Sequence, residues 1–267
     1  MKAKTMKIKE GPNRIAAIDE IRGIAIIGML VFHAIFYYEM IFGVHLDFVR
    51  LPFVEFVAIA GGGLFIFISG VSCSFAKSNI RRGLVCLGFG LAISAVTLIM
   101  WKGFDQQSTF IFFGILHLLG TSMIVFGLTE KAVKRSAERW NPLIGAAVFG
   151  GLFAVSYLMV YRDLWYQAVF SLAPVQALYH WNLMYIFGYP NWSAFPPMDF
   201  YPILPWMLLF FAGGYVGIWI VKHRLPDWIT RIHFRPLVFC GQHTLVIYLV
   251  HPIVLYPLIL LAKMLVG

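Results

Sequence analysis

The sequence predicts an all-α fold, a bundle of transmembrane helices that crosses the membrane about seven times. Of the 267 residues, 60% are hydrophobic and only 12% are charged, whereas ordinary soluble domains carry about 25% charged residues. The mean hydropathy is +0.80. Several apolar stretches also reach the roughly 20 residues that a helix needs to cross a bilayer core about 30 Å thick. We therefore expect a multi-pass protein of the cell membrane, surrounded by lipid.

The predicted spans follow one another along a single domain, residues 1–267, after a flexible cytoplasmic leader over residues 1–13. The first span follows basic residues, as the apolar part of a signal peptide does. No small-x-small cleavage site closes it and it is too long for a signal peptide, so we interpret it as a retained helix. In chain order the spans are 21–41, 54–76, 84–101, 110–128, 141–161, 202–221 and 237–262.

Basic residues are distributed unevenly between the two sides of this bundle. All but four of the 21 Lys and Arg residues fall in segments 2–22, 77–82, 131–139 and 222–235. Because basic loops stay in the cytoplasm during insertion, the N-terminus is expected to be cytoplasmic and the C-terminus external. The same distribution accounts for the formal net charge of +9 without a nucleic-acid partner.

One further apolar segment, residues 164–188, does not fit this layout as a span. If it crossed the membrane, the basic loop 222–235 would lie outside, against the positive-inside rule. Pro174 also interrupts it. We therefore predict an external interfacial or re-entrant element, which is tolerated where protein or water satisfies its backbone. A bundle of eight spans is the alternative.

The first span carries a stripe of polar side chains. Arg22 and His33 are eleven residues apart, almost three helical turns, and therefore share one face with Asp19 and Tyr37. His33 lies about 16 Å deeper than Arg22, near the membrane midplane. A polar side chain at that depth normally faces the bundle interior or a wet cavity. His33 either bonds a neighbouring helix or takes part in chemistry, and the aligned stripe favours chemistry.

Other polar residues in apolar surroundings are also candidates. Arg81 and Arg82 follow the second span, where their guanidinium groups are suited to binding phosphate or to setting topology. His117 and His251 lie within later spans. Pro252 cannot donate a backbone N–H, so we expect a kink or a local opening of the helix beside His251.

A proline-rich external stretch, residues 191–206, contains one acid, Asp199, among aromatic residues that include Trp206. This composition fits either a sugar-facing rim or a simple connector. The cysteines show neither disulfide nor metal-site spacing and are expected to be small core residues. We expect no metal site, and no phosphate loop or nucleotide-binding glycine motif is present. The three cysteines are Cys73, Cys86 and Cys240.

Segments along most of the chain resemble a family of bacterial membrane proteins related to the catalytic domain of heparan-alpha-glucosaminide N-acetyltransferase. More distantly, the chain is similar to membrane acyltransferases that O-acylate cell-surface glycans. In chain order the segments are AIDEIRGIAIIGMLVFH at 17–33, LFIFISGVS at 64–72, RRGL at 81–84, FFGILHLLG at 112–120, DFYPILPW at 199–206 and LVIYLVHPI at 245–253.

The resemblance implies an acyltransferase that moves an acyl group, typically acetyl, from cytoplasmic acyl-CoA to a sugar amine or hydroxyl outside. In the O-acylating relatives an arginine and a histidine with the spacing of Arg22 and His33 are critical. Basic residues after the second span, here Arg81 and Arg82, are candidates for the phosphates of CoA. In the animal enzyme the histidine lies instead just outside the first helix, where this chain has His45.

We expect His33, rather than His45, to deprotonate the acceptor or to be transiently acylated, because imidazole exchanges protons near neutral pH. His251 or His117 would orient or replace it, with His117 near the donor. Arg22 would hold the CoA arm or fix the local charge, or it would pair with Asp19 and anchor the helix end. Asp19 is also a candidate catalytic residue.

Acetyl-CoA is thus the expected donor substrate and a sugar or glycan the expected acceptor, recognised in part by Asp199 and Trp206. A homo-oligomer is compatible with the sequence. The competing function is a proton-coupled transporter or channel that uses the intramembrane histidines, although the chain lacks the obvious inverted repeat of many transporters. A purely structural membrane protein is a third possibility.

Overall fold

Every regular element in the described part of the chain is a helix, which confirms the predicted all-α class. The computed structural model describes residues 15–104, 110–161, 186–188, 199–223, 225–230 and 234–266. A short 3-10 helix covers Asp47–Arg50. The α-helices are α1 (Ala16–Phe42), α2 (Pro52–Cys73), α3 (Asn79–Phe104), α4 (Ile115–Arg139), α5 (Pro142–Tyr161), α6 (Ile203–Lys222), α7 (Asp227–Thr230), α8 (Arg235–Gln242) and α9 (Thr244–Val266).

Five of these helices are individually long and apolar enough to cross a membrane: α1, α2, α3, α6 and α9. Helices α4 and α5 meet at a bend of 118° and count as a sixth span if they are taken as one broken segment. The chain is therefore a multi-pass membrane protein. The predicted count of seven spans, the orientation of the N-terminus and the single domain over 1–267 stay predictions.

The last apolar run is divided, so the predicted span 237–262 is wrong in its bounds. His243 leaves helical geometry at φ −113° and ψ 20° and separates the short α8 from α9. Close backbone contact with α1 fixes α8 in place: Gly23 faces the Leu237 carbonyl and Gly241 faces the Asp19 carbonyl. Because these contacts run in opposite directions along the two helices, α8 is antiparallel to the start of α1, and the long apolar helix begins only at Thr244.

The predicted span 110–128 is also shifted. Gly114 is extended, at φ −97° and ψ −173°, so α4 begins at Ile115. The helix continues to Arg139, well past residue 128, because Val133 and Ala137 still bury apolar surface. The remaining predicted spans agree with the helices to within five residues at either end.

The first helix ends at a well-defined cap. Gly43 adopts the left-handed conformation, with φ 68°, and donates its N–H to the Glu39 carbonyl. Glycine adopts this conformation without strain, which makes it the usual residue just past a helix end. The Glu39 carboxylate then accepts the N–H of Leu46 at 2.6 Å. This hydrogen bond therefore holds the segment that carries His45 against the end of α1.

The chain divides into two compact units. The first contains the described residues up to Ile68 and those after Arg224, hence α1, most of α2 and α7 to α9. The second is Ser69–His223, with the end of α2 and helices α3 to α6. The predicted leader 1–13 and almost all of the predicted re-entrant element 164–188 lie outside the described residues.

Glycines allow close helix contacts within the second unit. An added Cβ at Gly83 would lie 2.7 Å from the Gly120 carbonyl oxygen, and one at Gly70 would overlap the Phe210 carbonyl. Small residues at helix contacts are typical of membrane proteins, in which van der Waals packing holds helices together. Cys73 and Cys86 are buried and Cys240 is half-buried, all as free thiols.

Candidate active site

Two of the predicted histidines meet in the first unit. The rings of His33 on α1 and His251 on α9 lie with their centroids 4.8 Å apart, at an interplanar angle of 74°. The two helices run parallel here, because Tyr37 on α1 contacts Tyr256 on α9 one turn further on. His251 is only 6% exposed. Residues 218 positions apart in the sequence thus form an imidazole pair in the middle of two apolar helices.

Backbone carbonyls assign the tautomer of both rings. His33 Nδ1 lies 2.9 Å from the Met29 carbonyl oxygen, and His251 Nδ1 lies 2.5 Å from that of Tyr248. A carbonyl oxygen only accepts hydrogen bonds, so each Nδ1 carries the proton and donates it. In the neutral ring Nε2 then keeps its lone pair. Both imidazoles are therefore arranged to accept a proton, or to attack an electrophile, through Nε2.

The Nε2 atom of His251 is buried and has no hydrogen-bond partner among the described residues. A buried polar atom without a partner is costly in a folded protein and needs a physical explanation. This nitrogen is therefore open to a hydrogen bond with a group other than the described side chains, and the catalytic role of His251 stays a prediction.

The start of α1 is anchored by charged residues. Arg22 pairs with Asp19 at 2.9 Å, and its Nη1 also donates to the Gly241 carbonyl on α8 at 3.2 Å. Glu20 accepts the N–H of Phe234 at 2.8 Å. Asp19 is only 3% exposed, and a buried carboxylate requires such pairing. The Asp19–Arg22 pair thus lies where α8 contacts the start of α1. Anchoring of the helix end, a catalytic role of Asp19 and contact between Arg22 and the donor stay predictions.

His45 lies beyond the end of α1, in an exposed position. Its Nδ1 accepts a hydrogen bond from Arg50 Nη2 at 3.1 Å. This arrangement differs from that of His33, which is half-buried beside a second imidazole. The choice between His33 and His45 as the catalytic histidine stays a prediction.

His117 caps a helix in the second unit. Its Nδ1 accepts the N–H of Gly114 at 3.2 Å, and its Nε2 lies 3.2 Å from Ser94 Oγ. Ser94 in turn donates to the Ile111 carbonyl at 2.7 Å. Both ring nitrogens are therefore engaged, with the proton on Nε2. This contact set is structural, and the predicted role of His117 near the donor stays a prediction.

Asp199 and Trp206 lie in the same unit. The Asp199 carboxylate accepts the N–H of Ile115 at 3.4 Å, at the N-terminus of α4, where a negative charge is favoured by the helix dipole. Trp206 is 4% exposed and its ring lies 5.3 Å from that of Tyr201. Its indole nitrogen has no hydrogen-bond partner among the described residues. Roles of Asp199 and Trp206 in acceptor binding stay predictions.

Arg81 and Arg82 are exposed in the first turn of α3. Ser78 begins this helix by accepting the N–H of Arg81 at its hydroxyl, 3.3 Å away. Cations are normally disfavoured at a helix N-terminus and anions favoured. The role of Arg81 and Arg82 in binding the phosphates of CoA stays a prediction.

The described part of the chain contains no group of three or more His, Cys, Asp or Glu side chains that could hold a metal ion. A cavity of about 410 Å³ lies in the second unit beside Trp140, Phe149 and Tyr215. None of the predicted site residues lines it.

Sequence reasoning missed Glu20 and Ser94, the partners of Phe234 and His117. A signal for Glu20 was present, because it is an acid next to the polar stripe at the start of an apolar helix. Nothing in the sequence around Ser94 indicated its role. The contact between Ser94 and His117 depends on Gly90, where an added Cβ would lie 3.1 Å from the His117 ring.

Comparison with known families identifies a match over most of the chain. A sequence model of the family described as "Heparan-alpha-glucosaminide N-acetyltransferase, catalytic" matches residues 14–253. Comparisons with curated proteins and with solved structures each give no match. The matched residues cover most of the chain and include Arg22, His33 and His251. The chain therefore belongs to the heparan-alpha-glucosaminide N-acetyltransferase catalytic family, and its apolar helices make it a membrane-embedded member of this family of acetyltransferases.

Proposed function

We propose that the protein transfers the acetyl group of cytoplasmic acetyl-CoA to an amine or hydroxyl of a sugar outside the membrane, at the His33–His251 pair. The observation that carries this proposal is the pair itself, with ring centroids 4.8 Å apart and a buried Nε2 on His251. Family membership supports acetyl transfer and gives no support to a proton-coupled transporter.

The chemistry requires a base for the acceptor. His33 Nε2 accepts a proton from the sugar amine or hydroxyl as its nitrogen or oxygen attacks the thioester carbonyl carbon. A C–N or C–O bond forms, the C–S bond breaks, and the sulfur leaves as CoA thiolate. The proton on the imidazole then passes to that sulfur, so the base is regenerated. His251, packed against His33, orients the first ring or shares the proton.

The donor side of the proposal rests on charge. Acetyl-CoA carries several phosphates, and Arg81 and Arg82 present two permanent positive charges at the N-terminus of α3. The positive-inside rule favours a cytoplasmic location for this end of α3, on the side from which we propose that acetyl-CoA enters. We propose that these arginines bind phosphate groups of the donor.

The test uses the purified protein in liposomes, with [14C]acetyl-CoA and a panel of amino sugars and neutral sugars on defined sides of the bilayer. We expect labelled sugar only when donor and acceptor occupy opposite compartments, because the two substrates are proposed to enter from opposite faces. A matched panel with both substrates on one side serves as control. Failure to label any acceptor, or transfer only when both substrates share a compartment, would contradict the proposal.

A further inference from the structure

Helix α9 contains two prolines, Pro252 and Pro257, and continues through both. A proline has no N–H, so neither one can donate to the carbonyl four residues earlier. These carbonyls belong to Tyr248 and Ile253 respectively. The Tyr248 carbonyl is also the acceptor for His251 Nδ1, at 2.5 Å. The imidazole of His251 thus donates to the carbonyl that Pro252 cannot reach with a backbone N–H.

The choice of this carbonyl sets His251 apart from other histidines of the chain. His33, His223 and His243 each direct Nδ1 at the carbonyl four residues earlier, at 2.9, 2.8 and 2.9 Å. His251 instead uses the carbonyl three residues earlier. In each of the first three cases the next residue is not proline. A proline directly after the histidine therefore coincides with a different placement of the ring.

We propose that Pro252 is a positioning residue for His251. By withholding a backbone N–H from the Tyr248 carbonyl, it directs the His251 ring to that carbonyl and holds it against His33. With an ordinary residue at position 252, the helix bond to Tyr248 forms and the ring moves to the Ile247 carbonyl, which is the pattern of His33, His223 and His243. The imidazole pair is then no longer held in the same geometry.

The ring placement is tested directly by solid-state NMR on the full-length protein in liposomes, labelled with 15N-histidine and with 13C at the tyrosine carbonyls. Dipolar dephasing between the two labels reports the distance from His251 Nδ1 to the Tyr248 carbonyl. Tyr248→Phe keeps the backbone carbonyl and removes its label, which assigns the signal. We expect Pro252→Ala to abolish this dephasing and Pro257→Ala to retain it. Full dephasing in Pro252→Ala overturns the inference.

Pro257→Ala is the matched control, because both substitutions replace an interior proline of the same helix by a better helix former. Lost stability therefore does not explain a difference between them. The second measurement is kcat for acetyl transfer, and it rests on the proposed function. We expect kcat to fall about 100-fold in Pro252→Ala, the scale expected for a misplaced catalytic group. In Pro257→Ala we expect kcat to change less than about 2-fold.

A double-mutant comparison separates positioning from general damage. In a His251→Gln background we expect Pro252→Ala to cause no further loss of kcat, because the ring it positions is already absent. An equal loss in both backgrounds contradicts the inference. If no variant transfers acetyl groups but the dephasing pattern is as expected, the proposed function fails and the positioning role of Pro252 stands.

Discussion

Gly241→Ala tests how the start of α1 is held. The substitution places a methyl group between α8 and α1, where the Gly241 backbone packs on Asp19. The new Cβ would overlap the Asp19 carbonyl oxygen and lie 2.6 Å from the carbonyl carbon, whereas ordinary contact begins at 3.4 Å. The two backbones must therefore separate by more than about 0.8 Å to relieve the overlap, because neither is a flexible side chain.

That separation has a calculable effect on Arg22. Its Nη1 donates to the Gly241 carbonyl at 3.2 Å, and an added 0.8 Å or more along this direction gives a distance of at least about 4.0 Å, beyond the range of a hydrogen bond. Overpacking costs about 1–3 kcal/mol, and loss of a hydrogen bond from a charged group costs about 1.5–3 kcal/mol. Since Arg22 is partly exposed and regains water, we expect the free energy of unfolding to fall by about 3 kcal/mol in total.

The assay is equilibrium unfolding of the purified protein by SDS titration in mixed micelles. Gly28→Ala is the matched control, because it is also a glycine of this unit and an added Cβ there meets nothing within 4 Å. We expect no loss of stability in the control. Equal stability of Gly241→Ala and the parent protein would refute the packing of α8 against α1, and with it the proposed anchoring of Arg22.

Three further predictions concern the second unit. Asp199→Ala should lower the free energy of unfolding by about 1 kcal/mol through loss of a helix cap, and an unchanged Tm would contradict the contact with Ile115. His117→Ala should lower the free energy of unfolding by about 1–3 kcal/mol, because the Gly114 N–H is left buried without its acceptor. Thermal unfolding measures this change. Loss of activity at an unchanged Tm would instead indicate a chemical role of His117. The double substitution of Arg81 and Arg82 by Gln should raise the KM for acetyl-CoA by about 10-fold or more, with kcat retained; a KM that does not change would place the donor phosphates elsewhere.

Much of the first unit could be predicted from helical periodicity. Arg22 and His33 share a face of α1 because eleven residues make almost three turns, and both contact the C-terminal helices: Arg22 reaches Gly241 and His33 reaches His251. The ion pair with Asp19 follows from a spacing of three residues. The pairing of His33 with His251 in particular could not be predicted, because periodicity gives the face of a helix and not its neighbour.

Other features depend on packing that hydropathy does not report. The run 237–262 is apolar almost throughout, yet it breaks at His243, because Gly241 packs against the Asp19 backbone and turns α8 along α1. The contacts of His117 could not be predicted either: Gly90 on α3 leaves room for the ring and lets Ser94 reach it. Both outcomes require contacts between residues that are distant in the sequence or on different helices.

The central claim is that the His33–His251 pair is the centre of acetyl transfer. Its most direct test measures kcat/KM for acetyl transfer by the His33→Gln protein in liposomes. His223→Gln is the matched control, since His223 also directs Nδ1 at the carbonyl four residues earlier but is exposed; His45→Gln tests the rival histidine. We predict a fall of about 10²- to 10⁴-fold for His33→Gln and less than about 3-fold for the other two. Retained activity in His33→Gln with loss in His45→Gln would contradict the claim.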